Sequence, residues 1–508
     1  MSGGVVLRPS AVRPVGLDTI AGWIGGTVHG PTVDVTGVTL DSRAVRPGDL
    51  YTALPGSRVH GSGFAGDARS SGAVAVLTDP AGASGAAEAG LPVCVVDAPR
   101  SVLGVLAARL YGDPAASLTT VGITGTHGKT TTAALAEAGL SQATGRAASI
   151  GTVGARIFGE YVKTPLTTPE APDLHAMFGY MREQGVGACA MEVSSHALVM
   201  GRVDGVVFDV AVFLNLGRDH LDFHRDLDDY FAAKSRLFSP ERARSGLASV
   251  DDEHGRWLSA HAVIPTRTMS ASGAEADWRA TEVRPRAYGT DFALIAPDGS
   301  RHDAAVEMPG KFNVANALAA VAAIGEAGFS IDEAIAGVSS VTGVPGRMER
   351  IEEGQDFVVV VDYAHKPDAV TAVLSALSEV TRGRVITVLG AGGDRDRGKR
   401  PLMGETAARL SDVLVVTDDN PRSEDPAAIR AALLEGARRV AADERAELLD
   451  VGDRAKAIEA AVGLAVSGDC VLIAGKGHEP GQEIAGVVHP FDDREVARRA
   501  LISRGGGS

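Results

Sequence analysis

Four apolar, β-rich runs recur in the last third of this 508-residue chain: FVVVVDYAHKP (357–367), RVITVLGAGGDRD (384–396), DVLVVTDDNPR (412–422) and CVLIAGKGHEP (470–480). Helix-length segments fall between them, and that alternation is the signature of a parallel α/β sheet. Every run ends in glycines and polar residues. In open α/β sheets, ligands bind in the crevice beyond the carboxyl ends of the strands. Asp362, Arg395, Asn420, Arg422 and Glu479 are therefore expected along one rim.

The rest of the chain divides by the same signs. A small first unit of short strands and turns, including GVTLDSRAVRPGDLYTAL and LPVCVVD, ends at YGDPAASL (111–118), where Asp-Pro breaks the pattern. A second α/β unit runs from TTVGITGTHGKTT to the Gly/Pro hinge GVPGRME (343–349). The expected domains are 1–113, 114–345 and 346–508, three being the number suggested by length.

Charge excludes some functions. Lys and Arg number 49 against 64 Asp and Glu, a net charge of −15, which argues against nonspecific nucleic-acid or membrane binding. Cys94, Cys189 and Cys470 each sit in apolar surroundings without a Cys-x-x-Cys spacing, the pattern of buried free thiols in a reducing cytosol. The N-terminal stretch lacks the apolar core of a signal peptide, and no run approaches a membrane span. A cytoplasmic protein is expected.

The sharpest chemical motif is GTHGKTT (125–131), between an apolar strand and a helix. In such a loop, backbone N–H groups cradle phosphates, Lys129 neutralises them, and the Thr130 hydroxyl serves Mg²⁺. The loop is a shortened variant, since Ile123 stands where the full form has glycine. Glu192 of MEVSSHAL ends one strand and His220 of NLGRDHLDFH follows another. A carboxylate and an imidazole beside a triphosphate suit Mg²⁺ or Mn²⁺. Taken singly, each is more often a solvated strand end. Spacing alone reads Lys234, in the amphipathic stretch YFAAKSRLF, as a snorkelling surface lysine.

With these motifs, GKFNVANALAA, GVPGRMERI, VDYAHKPDA, GGDRDRGKRPLM, DDNPR and GKGHE follow in order. Together they resemble the Mur ligases, from about residue 40 to about residue 498. The nearest likeness is to members adding the third amino acid to UDP-N-acetylmuramoyl-L-Ala-D-Glu in cytoplasmic peptidoglycan precursor synthesis.

The resemblance implies a three-domain α/β protein. Its parts are a UDP-binding N-terminal domain, a central P-loop parallel-sheet ATPase and a Rossmann-like C-terminal domain for the incoming amino acid. It places Leu40, Ser42, Ser57, Arg58 and Val59 at the UDP moiety, and Thr167, Thr168, Ser194 and Arg202 at the muramoyl-dipeptide. Gly125, Thr126, His127, Gly128, Lys129, Thr130 and Thr131 would bind ATP phosphates, with Asn316, Arg347 and Asp362 at adenine, phosphates and ribose. Lys129, Glu192, His220 and Lys234 would be the catalytic set. Lys234 matches a lysine that the family carbamylates, so Thr130, Glu192, His220 and the Lys234 carbamate would hold Mg²⁺. His127 and Met200 depart from the family pattern, and Met200 stays outside the expected site.

In that family DNPR marks enzymes adding meso-diaminopimelate. Arg395, Asp419, Asn420, Pro421, Arg422, Gly475 and Glu479 would bind this second substrate, which carries a carboxylate that lysine lacks. The implied reaction is ATP-dependent amide formation through an acyl phosphate, by a monomer. LL-diaminopimelate or lysine are alternative substrates. A folylpolyglutamate-synthetase-like ligase, a P-loop switch ATPase and a non-enzymatic nucleotide-binding module are the competing readings.

Overall fold

The computed structural model describes residues 7–56, 58–286 and 288–505. The chain separates into two compact units. The first holds residues 1–279, 296–300 and 316–338; the second holds 280–295, 301–315 and 339–508.

Two large sheets organise the first unit, beside the short antiparallel pair Val15–Gly16 and Asp34–Val35. Its N-terminal sheet runs in the order Thr27–His29, Val93–Val95, Ala75–Thr78, Asp49–Ala53, Gly37–Thr39, parallel except at the Thr27–His29 edge. The larger sheet places Thr119–Thr124 between Ala188–Glu192 and Phe208–Phe213, with Ala147–Gly151 outside the first and Ala243–Ser249 and Thr266–Ser270 outside the second. These pairings are parallel. The hairpin Gly154–Ile157 and Glu160–Val162 continues the Ala147–Gly151 edge antiparallel. Such strands are buried on both faces and read as unbroken apolar runs. Gly122 sits mid-strand because a β-carbon there would press on the Phe208 ring.

The second unit is built on a six-stranded sheet ordered Glu349–Arg350, Val358–Asp362, Cys470–Ala474, Val385–Leu389, Val413–Val416, Glu447–Asp450. Five strands are parallel and the first pairs antiparallel. Apolar clusters line both faces, Leu374, Met403 and Leu433 on one and Ile458, Val462 and Leu501 on the other. Four parallel strands are the four runs of the sequence. The fifth, Glu447–Asp450, escapes that reading because its short ELLD stretch lies half-exposed at the sheet edge. Cys470–Ala474 inserts between the first two runs, so on the rim Gly475 stands between Asp362 and Gly390, neither of which is near it in sequence.

All three cysteines are buried and free. Among the described residues, no helix is long and apolar enough to cross a membrane.

Candidate active site

In the first unit, strand Thr119–Thr124 delivers the chain into Gly125–Gly128, and helix Lys129–Thr144 leaves it. Gly128 has a φ of 89°, and a β-carbon there would collide with the Asn316 side chain. Only glycine allows that approach. Asn316 is buried on helix Lys311–Glu326, and its Oδ1 accepts from the Thr132 hydroxyl at 3.3 Å. Thr130 and Thr131 lie in the first turn of the loop's helix, where backbone N–H groups lack intrahelical partners.

The loop is held from below by Asn215, a residue the motif reading passed over. Its Oδ1 accepts from the N–H of Thr126 at 3.1 Å and of His127 at 2.8 Å, and its Nδ2 donates to the His127 carbonyl at 3.1 Å. Two of the amides expected to cradle phosphate are thus turned toward Asn215. The available signal was position: Asn215 directly follows the strand neighbouring the loop.

Lys129 folds back, donating to the carbonyl oxygens of Gly125 at 2.8 Å and Thr126 at 3.2 Å. Lys234 corrects the surface reading. It is 1 % exposed, its Nζ donates to the Gly125 carbonyl at 2.8 Å, and it lies 4.3 Å from the centre of the Tyr230 ring. Helix Leu227–Ser235 points this side chain inward because Tyr230 and Ala233 bury the same face.

Glu192 ends strand Ala188–Glu192, buried, and accepts from the Thr152 N–H at 2.7 Å and hydroxyl at 3.1 Å. The Thr152 hydroxyl also meets that of Thr167 at 3.2 Å. Thr168 donates to the Glu192 carbonyl at 2.8 Å and accepts from the Ser194 N–H at 3.2 Å. Four expected residues, Thr167, Thr168, Glu192 and Ser194, therefore form one network, with Thr152 as the unforeseen link. Arg202 is paired with Glu170 at 3.0 Å, and its Nη2 lies 3.5 Å from Met200 Sδ. His220, with a φ of 53°, stands edge-on to His196 at 4.9 Å and beside Asp219 at 3.2 Å. Burial lowers the His196 pKa, helped by His224 and Arg202.

On the N-terminal sheet, Leu40 and Ser42 follow strand Gly37–Thr39, while Arg58 and Val59 are exposed in the next loop. Ser57 lies outside the described residues.

In the second unit, Asp362 is buried at a strand end and accepts from the N–H of Met348 and Ala364 at 2.8 and 2.7 Å. Burial raises its pKa despite Arg347, whose guanidinium stacks 4.3 Å from the Tyr363 ring centre.

The DDNPR segment is tied to GKGHE through Lys476, which is fully buried. Its ammonium donates to Asn420 Oδ1 at 3.1 Å and the Gly481 carbonyl at 2.6 Å, with Asp419 at 3.7 Å and Glu479 at 3.5 Å. Asn420 Nδ2 donates to Glu479 at 2.9 Å, and Tyr363 donates to the other Glu479 oxygen at 3.3 Å. Gly475, at φ 118°, leaves room for the Asp419 carboxylate. Pro421 is buried. Arg422 has a φ of 54°, and its Nη1 donates to the Gly393 carbonyl at 2.6 Å. Arg395 is exposed and, like Arg422, approaches Gly392, whose missing β-carbon would lie 3.1 Å from Arg422 Nη1 and 3.9 Å from Arg395 Cγ. The two arginines thus lie beside one glycine, and a guanidinium is the side chain suited to pairing a carboxylate.

Three family models match the chain: Mur ligase family, catalytic domain (34–111), Mur ligase middle domain (123–324), and Mur ligase, glutamate ligase domain (346–477). UDP-N-acetylmuramoyl-L-alanyl-D-glutamate–2,6-diaminopimelate ligase of Streptomyces coelicolor is 55 % identical over 495 residues, covering 97 % of this chain and 98 % of that protein. Its counterpart from Corynebacterium glutamicum is 49 % identical over 479 residues, with 92 % of each covered. A solved structure of a ligase of the same name superposes with a TM-score of 0.67 at 33 % identity, covering 97 % of this chain and all of that one.

Proposed function

The chain belongs to the Mur ligase family, and on that premise we propose that it is an ATP-dependent ligase joining meso-diaminopimelate to UDP-N-acetylmuramoyl-L-Ala-D-Glu. The observation that carries the second substrate is the Asn420–Lys476–Glu479 network beside Arg422 and Arg395. An amino acid with a distal carboxylate would use the arginines for that group and Glu479 for its ammonium end.

A carboxylate is a poor electrophile, so the D-Glu γ-carboxylate must first take the γ-phosphoryl group of ATP. ADP leaves; the free amine of diaminopimelate then attacks the acyl carbon, an amide forms, and phosphate departs with the amine's proton released. Protein groups contribute chiefly positioning and charge neutralisation. The helix start at Lys129–Thr131 and the Lys129 ammonium face the phosphates in this reading. Asn316 takes the adenine, Arg347 the phosphates, and Asp362 a ribose hydroxyl. Thr167, Thr168, Ser194 and Arg202 hold the muramoyl-dipeptide, and Leu40, Ser42, Ser57, Arg58 and Val59 its UDP end.

Buried Glu192, together with Thr130, His220 and a carbamate on Lys234, would supply the hard oxygen and imidazole donors that suit Mg²⁺. Bound there, the ion would offset charge on the transferring phosphoryl group. Carbamylation supplies the oxygen donors: the neutral Lys234 amine adds to carbon dioxide, loses a proton, and becomes a carbamate anion. The domains proposed for these tasks are 1–113, 114–345 and 346–508, acting in a cytoplasmic monomer.

ADP release should require the muramoyl-dipeptide and diaminopimelate together. Full-rate release from ATP alone would overturn the ligase reading.

A further inference from the structure

The hairpin Gly481–Ile484 and Val487–Pro490 lies outside every motif that identified the site, yet its first strand is hydrogen-bonded to DDNPR at several points. Gln482 Nε2 donates to the Asp419 carbonyl at 2.7 Å. The Glu483 N–H donates to Asn420 Oδ1 at 2.9 Å, the Arg422 N–H to the Glu483 carbonyl at 2.9 Å, and the Ala485 N–H to the Arg422 carbonyl at 2.7 Å. Arg422 and Ile484 thereby form a parallel bridge. Clamped on both sides, Arg422 keeps a left-handed φ of 54°, a conformation that non-glycine residues rarely adopt. The side chain is seized as well. Glu483 Oε2 stands 3.3 Å from Arg422 Nε, while Gly393 takes Nη1.

We propose that Glu483 is a positioning residue for diaminopimelate selection, acting through Arg422. Its carboxylate occupies the Nε edge of the guanidinium and the Gly393 carbonyl occupies Nη1, so the fork is locked at two points. The Nη2 corner then has a fixed direction in which to meet a carboxylate. A five-donor planar fork recognises carboxylates by geometry as well as charge. An Arg422 free to turn would lose the geometric part. The contact is a partly exposed ion pair, which limits its effect to about threefold.

This inference rests on the reading of Arg422 as the carboxylate anchor, and the variants separate the two. Glu483→Ala removes only the carboxylate, because the strand's bonds to Asn420 and Arg422 use its main chain. It should raise the KM for diaminopimelate about threefold, leave the KM for ATP and the weak turnover of lysine unchanged, and have no further effect in an Arg422→Ala background. Glu483→Gln, which still offers Nε an acceptor, should recover most of the loss. An unchanged or lowered KM in Glu483→Ala, no recovery in Glu483→Gln, or an equal loss with lysine would overturn the proposal. If Arg422→Ala itself leaves the KM for diaminopimelate unchanged, the anchor reading fails instead.

Discussion

Lys129 and Lys234 donate to one acceptor, the carbonyl oxygen of Gly125, each at 2.8 Å. Two ammonium groups on a single carbonyl repel one another, and one of them is fully buried. Converting Lys234 to a carbamate turns that repulsion into attraction and places an anion beside the phosphate loop. Lys234→Ala should therefore fold with an unchanged circular dichroism spectrum but lose nearly all ligase activity. Labelled bicarbonate should give a carbamate resonance in the unmutated protein and none in the variant. An active enzyme with unmodified Lys234 would refute the assignment.

Asn215 holds the loop through three hydrogen bonds to the main chain of Thr126 and His127. Asn215→Ala leaves the His127 N–H and carbonyl to find new partners, while the Thr126 N–H keeps the Asn215 main-chain carbonyl at 3.0 Å, at a cost of about 1–3 kcal/mol for each group left unsatisfied. The KM for ATP should rise at least tenfold, while the KM for diaminopimelate stays constant. Steady-state kinetics with each substrate varied in turn checks this.

Substrate choice gives a third prediction. A polar site built for a distal carboxylate rejects an analogue lacking it by roughly 10⁴-fold or more. Diaminopimelate should thus exceed lysine in kcat/KM by about that factor, and Arg422→Ala should shrink the ratio chiefly by raising the KM for diaminopimelate. Lysine as the better substrate would contradict the reading.

The pH dependence of stability should carry a signature of His365. Burial, reinforced by Lys399 and Lys366, holds its pKa down at about 3. The unfolded chain takes up this proton near pH 6.5, whereas the native protein does not until about pH 3. Stability from this residue is present above pH 6.5 and is lost as pH falls from there toward 3. Denaturation midpoints measured between pH 7 and pH 5 should fall less steeply in His365→Gln than in the unmutated protein.

Arg454 and Asp493 form a bidentate pair at 2.7 Å with both side chains fully buried. Arg454 also donates to the Ala474 carbonyl at 3.0 Å, just ahead of Gly475. Asp493→Ala strands a buried charge and should cost about 3–5 kcal/mol. Replacing both partners with apolar residues should cost less. Chemical denaturation of the single and double variants measures the difference.

The parallel sheets and the phosphate loop were legible because each rests on local pattern. Unbroken apolar runs with polar ends specify buried strands, and Gly125 and Gly128 between a strand and a helix specify the loop. The burial of Lys234 was not legible, because one lysine in an amphipathic stretch has the same local pattern whether its face meets solvent or protein. Asn215, Thr152, Lys476 and Glu483 were hidden for a related reason. Each acts by reaching a segment 40 or more residues away, and separation in sequence carries no mark of proximity. Sequence alone thus determined the four buried parallel strands of the second unit and the rim they end on. Tertiary packing decided which charges meet there, because burial and partner choice follow from how strands are ordered in space.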